Sequence, residues 1–294
     1  MEPEILDQNE LINAYKILSD RCLFQSAAWV LEFLSATPFD STIELEDQSP
    51  QFLLAQSQFK IREYKKVVKT LENCTDQPSI GLRFLSRLND TQQEIEQSLI
   101  ESGSFLEGFP SSGLSSYESY DSLIEEIKPF VEKLDAVNLY IYSSILVKGG
   151  RHKDALPFLL NSLNSFPLNR SAWQLLISLL VRFDDSVIAP SFGSLPKHWT
   201  SQIFRIELFA ELQQTEAALR LIQTITLPRT PSIIALEATV RYHHRDFERS
   251  QQLFEELRKA DPYRLETLEL YSNLLFVKED VAGLSQLAQT LNKI

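Results

Sequence analysis

"AVNLYIYSSILVKGGRHKDALPFLLNSLNSFPLN", Ala136 to Asn169, decides the fold. Leu139, Tyr142, Ser143 and Leu146 recur at helical spacing, so the first half reads as a helix. Gly149-Gly150 stops it. Ala155, Leu159 and Ser162 mark a second helix, and Pro167 closes the unit, because proline cannot continue a helix. Two helices joined by so short a turn must lie antiparallel. Small Ser143 and Ala155 let their backbones approach. Leu139, Leu146 and Leu159 fill the remaining space between this pair and the next.

The same arrangement returns along the chain. A large residue late in the first helix falls at Leu146, Leu180, Phe209, Tyr242 and Leu275, at spacings of 34, 29, 33 and 33. The position opening the second helix falls at Ala155, Ala218, Ser250 and Leu284. Trp173 takes the large position of an intervening unit whose second half, "RFDDSVIAPSFGSLP", is degenerate. Phe254 continues the second-helix pattern, and Pro262 stands where Pro167 stands in the earlier unit. The stretch "KADPYRLETLELYSNLLF" (Lys259–Phe276) then reads as one helix ending, a break at Asp261-Pro262, and the next helix starting at once. A period near 34 residues with this large–small–small–proline order is the tetratricopeptide (TPR) pattern. The expected fold is all-α, a TPR superhelical solenoid of antiparallel helix pairs.

Upstream the pattern weakens but persists. Residues 1–100 read as degenerate TPR-like pairs carrying Ala14, Ile17, Ser26, Val30 and Phe33, then Phe52, Ala55, Phe59, Val67 and Leu71. Residues 101–120, "ESGSFLEGFPSSGLSSYESY", read as a Ser/Gly-rich flexible insertion. Residues 121–294 continue the solenoid, beginning with a helix that Pro129 interrupts. Leu284, Leu287 and Leu291 still form an apolar face at the end, where a solenoid normally carries a polar cap. The array is therefore expected to continue past Ile294.

Composition narrows the function classes. Hydrophobic residues make up 44% of the 294, so disorder is excluded, and eight glycines are too few for the turns of a nucleotide-binding α/β enzyme. A net charge of −12 disfavours nucleic acid and anionic membrane as partners. Two cysteines, Cys22 and Cys74, and an acidic start without an apolar core point to a reducing compartment. No run of apolar residues is long enough for a membrane span.

No catalytic, cofactor-binding or metal constellation emerges, and no small-molecule substrate is expected. His244-Arg245-Asp246 spells a kinase triplet without the following asparagine, and reads as a turn. His243 and His244 are adjacent, about 100° apart on a helix, and cannot readily share a metal. Candidate partner-binding residues are Tyr15, Trp29, Tyr140 and Asn273. Tyr140 and Asn273 follow core positions and should face the concave groove of such an array, where an asparagine can hold a peptide backbone. A solvated polar face is the more ordinary explanation of them. Trp29, beside Ala27-Ala28, fits either core or partner contact, and Trp199 could line a ligand surface.

The segment "ELRKADPYRLETLELYSNLLFVKEDVAGLSQLAQTLNKI" resembles the cell-division-cycle twenty-three type of TPR subunit of the anaphase-promoting complex, because "LRK.DPYR.E....SNLL.V" is richer than a generic repeat. "LLAQSQFKIREYKKVV", "LYIYSSILVKGGRHKDAL", "FPLNRSAW", "SLPKHW" and "ELQQTEAAL" are similar in the same order. The resemblance implies a non-catalytic scaffold of a mitotic ubiquitin ligase. Its N-terminal repeats would form a homodimer and contact other subunits, in nucleus and cytoplasm. The residues alone leave a second reading open, a monomeric peptide-binding TPR adaptor or co-chaperone.

Overall fold

The computed structural model describes residues 7–23, 26–27, 29–30, 33–34, 50–101, 113–183 and 192–292. Among them the regular elements are helices: α1 (Gln8–Asp20), α2 (Pro50–Lys60), α3 (Tyr64–Thr70), α4 (Gln77–Glu101), α5 (Gly113–Ile127), α6 (Ala136–Lys148), α7 (His152–Ser165), α8 (Arg170–Leu180), α9 (Thr200–Glu211), α10 (Thr215–Thr224), α11 (Pro231–His243), α12 (Phe247–Ala260), α13 (Leu268–Val277) and α14 (Val281–Leu291). Helical residues also lie between positions 26 and 34. The chain is all-α.

The described residues fall into two compact units. One draws on Met1–Ile12, Trp29–Phe39 and Lys197–Ile294, the other on Asn13–Ala28 and Asp40–Pro196. In the second unit the α6–α7 pair meets as its small residues require. Ser143, Ala155, Leu159 and Ser162 are fully buried and Leu146 nearly so, and the Ser162 hydroxyl donates to the Ala136 carbonyl at 2.5 Å. Leu139, expected in that core, is half-buried. Trp173 on α8 is buried, and its indole N–H donates to the Pro167 carbonyl at 2.6 Å, tying the repeat-closing proline to the next helix. Cys22, Phe52, Ala55, Val67, Leu71 and Leu82 form a further core.

In the first unit α11 and α12 repeat the theme. Ala238 and Ser250 are both fully buried, and the Ser250 hydroxyl donates to the Ala238 carbonyl at 2.9 Å. Ile234, Leu253, Phe254, Leu257 and Leu274 surround that contact. Ala218 opens α10 in the same way, packed with Ile206, Ala210 and Val240. Leu275 on α13 is fully buried.

Six turns among the described residues each use one residue in the left-handed region: Cys22, Arg62, Gly150, Gln213, Arg245 and Glu279, with φ between 57° and 75°. The residue after it donates its N–H back to the helix, as Arg151 does to Leu146, Gln214 to Phe209, Asp246 to Arg241 and Asp280 to Leu275. This closure satisfies carbonyls that the helix end would otherwise leave open. It also fixes the register. Ala27, Val67, Ala155, Ala218, Ser250 and Leu284 all stand five residues past a turn residue. The equivalent of Leu146, Phe209 and Leu275 is Arg241, not Tyr242 as spacing alone indicated. Arg241 holds an apolar position by laying its stem inward and pairing with Glu237 at 3.2 Å and Asp246 at 2.8 Å.

Two further expectations change. Glu101 belongs to α4 and Gly113–Tyr120 to α5, so the 101–120 insertion is narrower than composition indicated, its middle lying outside the described residues. Tyr120, Leu123, Ile124 and Ile127 are buried, and a helix nucleated on that stripe propagates toward its N-terminus at little cost. Pro129 then converts the chain to a 3-10 helix, Lys128–Lys133. The joint after α12 is not a two-residue break either. Asp261 to Thr267 are non-helical, because the Asp261 carboxylate takes the Tyr263 N–H at 3.2 Å and Thr267 adopts φ 65°. Pro262 therefore lies in this connection and α13 begins only at Leu268.

The turn residues carry a stability cost that can be read directly. Arg245→Gly should raise the urea midpoint by an amount equivalent to about 1 kcal/mol, and Gly150→Ala should lower it by about 1–2 kcal/mol. Equal midpoints would contradict the assigned backbone. A Cβ at Gly81 would sit 2.2 Å from Asn138 Oδ1, and Asn138 is held by Gln77 through contacts of 2.8 and 3.0 Å. Gly81→Ala should cost about 1–3 kcal/mol by thermal unfolding, and less than additively beside Asn138→Ala.

Candidate functional site

The residues proposed from sequence do not converge on one site. Tyr15 is half-buried on α1, and Asn273 is exposed on α13. Trp29 is only 8% exposed. It stacks on Trp199 with ring centroids 5.7 Å apart, while Phe33 lies 5.0 Å from Trp29 and 4.7 Å from Trp199. His198 completes the group, 5.2 Å from Trp199, with its Nε2 3.4 Å from Glu10. The first unit thus holds an aromatic cluster joining the N-terminal segment to the start of α9. The two tryptophans that sequence left ambiguous pack against each other.

Tyr140 is half-buried on α6. Burial pushes its phenol above the ordinary tyrosine range, and hydrogen bonds with Ser144 and Ser171 act in the opposite direction. Ser171 leads to a polar cluster in the second unit that sequence reasoning missed. Ser26 Oγ lies 2.7 Å from Ser171 Oγ and accepts the Ser171 N–H at 3.1 Å. It donates to Asn169 Oδ1 at 3.4 Å. Nearby, the Arg21 guanidinium pairs with the Asp135 carboxylate. Asp135 caps α6 by accepting the Asn138 N–H at 3.0 Å, and Asn169 caps α8 by accepting from Ala172 at 3.4 Å. One signal was available: Asp and Asn just before an apolar-periodic stretch are N-cap residues. What no local pattern shows is that a distant segment uses the same caps.

The temptations in the sequence acquire structural roles. His244, Arg245 and Asp246 make the α11–α12 turn, where Arg245 is left-handed and Asp246 caps α12. Cys22 is buried, and desolvation pushes its thiol up to about 11, far from the range of a working nucleophile. Among the described residues, no group of three or more His, Cys, Asp or Glu side chains is placed to hold a metal ion. No helix of the described residues is long and apolar enough to cross a membrane.

What the geometry offers is stacked helix pairs with exposed apolar side chains: Ile17, Leu54 and Ile61 in one unit, Tyr263, Leu265, Phe276, Val277 and Val281 in the other. Such surfaces suit protein contacts. The sequence matches the family model for anaphase promoting complex subunit 8 / Cdc23 over residues 38–226. The chain belongs to this family. The matched range stops short of the "DPYR" stretch and its following repeat, but relatives align across nearly the whole chain. The Homo sapiens cell division cycle protein 23 homolog is 28% identical over 302 residues, covering 98% of this chain and 49% of its own length. The Arabidopsis thaliana anaphase-promoting complex subunit 8 is 28% identical, covering 96% and 55%. The Saccharomyces cerevisiae anaphase-promoting complex subunit CDC23 is 26% identical, covering 73% and 35%. The chain thus spans about half the length, or less, of these relatives. For this Cdc23-family chain the TPR-type helix pairs are the feature to which function must be attached.

Trp29→Ala should lower thermal stability by about 3–5 kcal/mol, the range for removing a buried tryptophan. Loss of the cluster should also change the emission of Trp199. Wild-type melting with unchanged emission would show that Trp29 packs against nothing in the chain.

Proposed function

We propose that this chain is the N-terminal portion of an architectural, non-catalytic subunit of the anaphase-promoting complex, working within a multisubunit ubiquitin ligase of the cell cycle. The observation that carries this reading is family membership, together with relatives named as subunits of that complex. The physical support is the helix-pair array itself. Its turns are closed by backbone hydrogen bonds, and its former catalytic candidates serve as caps and turn residues. Such an array offers long surfaces for subunit contact.

The N-terminal helix pairs homodimerise in this reading. Ile17, Leu54 and Ile61, at 37%, 53% and 66% exposure on α1, α2 and the turn after α2, supply apolar surface of the kind a second copy would bury. The remaining partners are other subunits of the complex. Nucleic acid and anionic membrane are disfavoured by the charge of −12, and residence in nucleus and cytoplasm fits a chain with two free cysteines. Asn273 and Phe276, exposed three residues apart on α13, favour a second reading in which a monomeric adaptor holds a peptide.

Light scattering on the purified chain separates the two. The expected result is twice the 33.7 kDa chain mass at tens of micromolar, with Leu54→Glu/Ile61→Glu shifting the population toward monomer. A clean monomer for the unsubstituted chain would eliminate the homodimer.

A further inference from the structure

The joint between α12 and α13 reverses a rule that two earlier joints keep. After α7, Leu168 follows Pro167 and is 1% exposed, and the cap Asn169 beside it is fully buried. After α10, Leu227 precedes Pro228 and is 8% exposed, and the cap Thr230 is buried as well. After α12, Tyr263 stands behind Pro262 as Leu168 stands behind Pro167, yet it is 72% exposed, and Leu265 is 63% exposed. We propose that Tyr263 and Leu265 form a docking point for another protein, and that the occupant is an amphipathic segment whose apolar face is edged by Lys or Arg. The inference does not depend on the dimer.

The backbone that carries these two side chains is pinned on both sides of them. The Asp261 carboxylate accepts the Tyr263 N–H at 3.2 Å, and the Arg258 guanidinium donates to the Arg264 carbonyl at 3.4 Å. Arg264 is turned inward, its side chain 12% exposed, and donates to Ser232 Oγ on α11 at 3.3 Å and to Glu266 at 2.5 Å. The Thr267 hydroxyl donates to the Glu266 carbonyl at 2.5 Å. In the stretch "DPYR" the aspartate, the proline and the arginine therefore each have a task inside the chain. Tyr263 has none. Among the described residues its side chain enters no hydrogen bond, ion pair or ring contact. Polar contacts that hold an apolar pair in water are the reverse of a joint packed for stability. They suit binding, because a pinned loop loses little freedom when a partner covers it, and a tyrosine offers a large apolar area with a hydroxyl at its edge.

The α7–α8 joint shows what kind of cover such a place takes. There a distant stretch of the same chain supplies it: Ser26 bonds to Asn169 and Ser171, and the neighbouring Leu23 and Ala27 are buried. At α12–α13 the described residues supply no such cover, and Thr267 makes no side-chain cap bond to α13. The counterpart of that stretch is a segment of another protein with apolar positions on one face. The charge beside those positions follows from the rim. The exposed charged residues flanking Tyr263 and Leu265 are Lys259, Glu266 and Glu269, two carboxylates against one ammonium, in a chain of net charge −12. A cationic edge on the occupant complements that rim, and an acidic one is repelled by it.

Photo-cross-linking tests this directly. Tyr263→p-benzoylphenylalanine, placed in the chain in its own cells and irradiated, should give one adduct with a different protein. The cross-linked peptide, sequenced by mass spectrometry, should carry apolar residues at amphipathic spacing with Lys or Arg beside them. Leu265→Ser in the same chain should cut the adduct yield about tenfold. The same photoreactive residue at Gln252, exposed on α12, should not give that adduct. No adduct, an adduct with a second copy, an adduct within the chain, or a cross-linked peptide without that pattern overturns the proposal. Folding is checked separately on the purified chain. Tyr263→Ser/Leu265→Ser should leave the melting midpoint unchanged, whereas Leu168→Ser should lower it. A drop as large as that of Leu168→Ser would make the two side chains part of the core and overturn the docking point as well.

Discussion

The closest approach of two helices sets everything else in this chain. Where α11 meets α12, Ala238 and Ser250 are both sealed from solvent, and a serine hydroxyl donates across the interface to a backbone carbonyl. Where α6 meets α7, Ser162 does the same toward Ala136. Contacts this tight tolerate only small residues. The serine side chain satisfies its own polar group on the neighbouring backbone, so burying it costs little. Once the backbones touch, the larger side chains have one place to go, the space between successive pairs. Phe254, Leu253 and Leu274 fill it in one unit and Leu159 and Leu146 in the other.

Polar groups are placed with equal economy. Asp135 and Asn169 stop and start the chain at two helix boundaries, and each is also grasped by a residue more than a hundred positions earlier. Arg241, paired with Glu237, sits where neighbouring repeats carry Leu146, Phe209 and Leu275. An ion pair with an aliphatic stem can stand in for a leucine when both charges are answered, and Asp246 supplies the second answer. The repeat therefore survives a substitution that a hydrophobic tally would score as fatal.

Much of this was legible beforehand because it is local. Helical periodicity, small residues at Ser143 and Ala155, and prolines closing units at Pro167 and Pro262 gave the helix pairs and their class. The errors came where a choice is decided elsewhere in the chain. Spacing points to Tyr242 for the core position that Arg241 fills, since a charged residue holds that place only through partners that spacing cannot show. The joint at Asp261 reads as two residues in the sequence because proline announces a boundary. Its length is set by an aspartate side chain and by Arg264, which reaches Ser232 and Glu266. The candidate surface was the least legible part. Trp29 and Tyr140 were recognisable as unusual, but their neighbours Trp199 and Ser171 lie far along the sequence. Ser26 reads only as a small residue of a helix, and its bonds to Asn169 and Ser171 have no local signal.

The left-handed turn residues have a consequence for how this protein could change over time. Cysteine, arginine, glutamine and glutamate occupy positions where glycine would sit without strain, while Gly150 alone among those turn residues is relaxed. The strained sites stand on separate turns, so relief at one does not alter the next. The chain thus carries untouched headroom at Arg62, Gln213, Arg245 and Glu279, whose side chains are exposed, so that glycine there would firm the turn and leave the buried packing as it is. That a repeat array keeps such slack means its repeats can drift in sequence and be repaired locally. Relatives identical to it at only 28% of the aligned positions keep the same family relation.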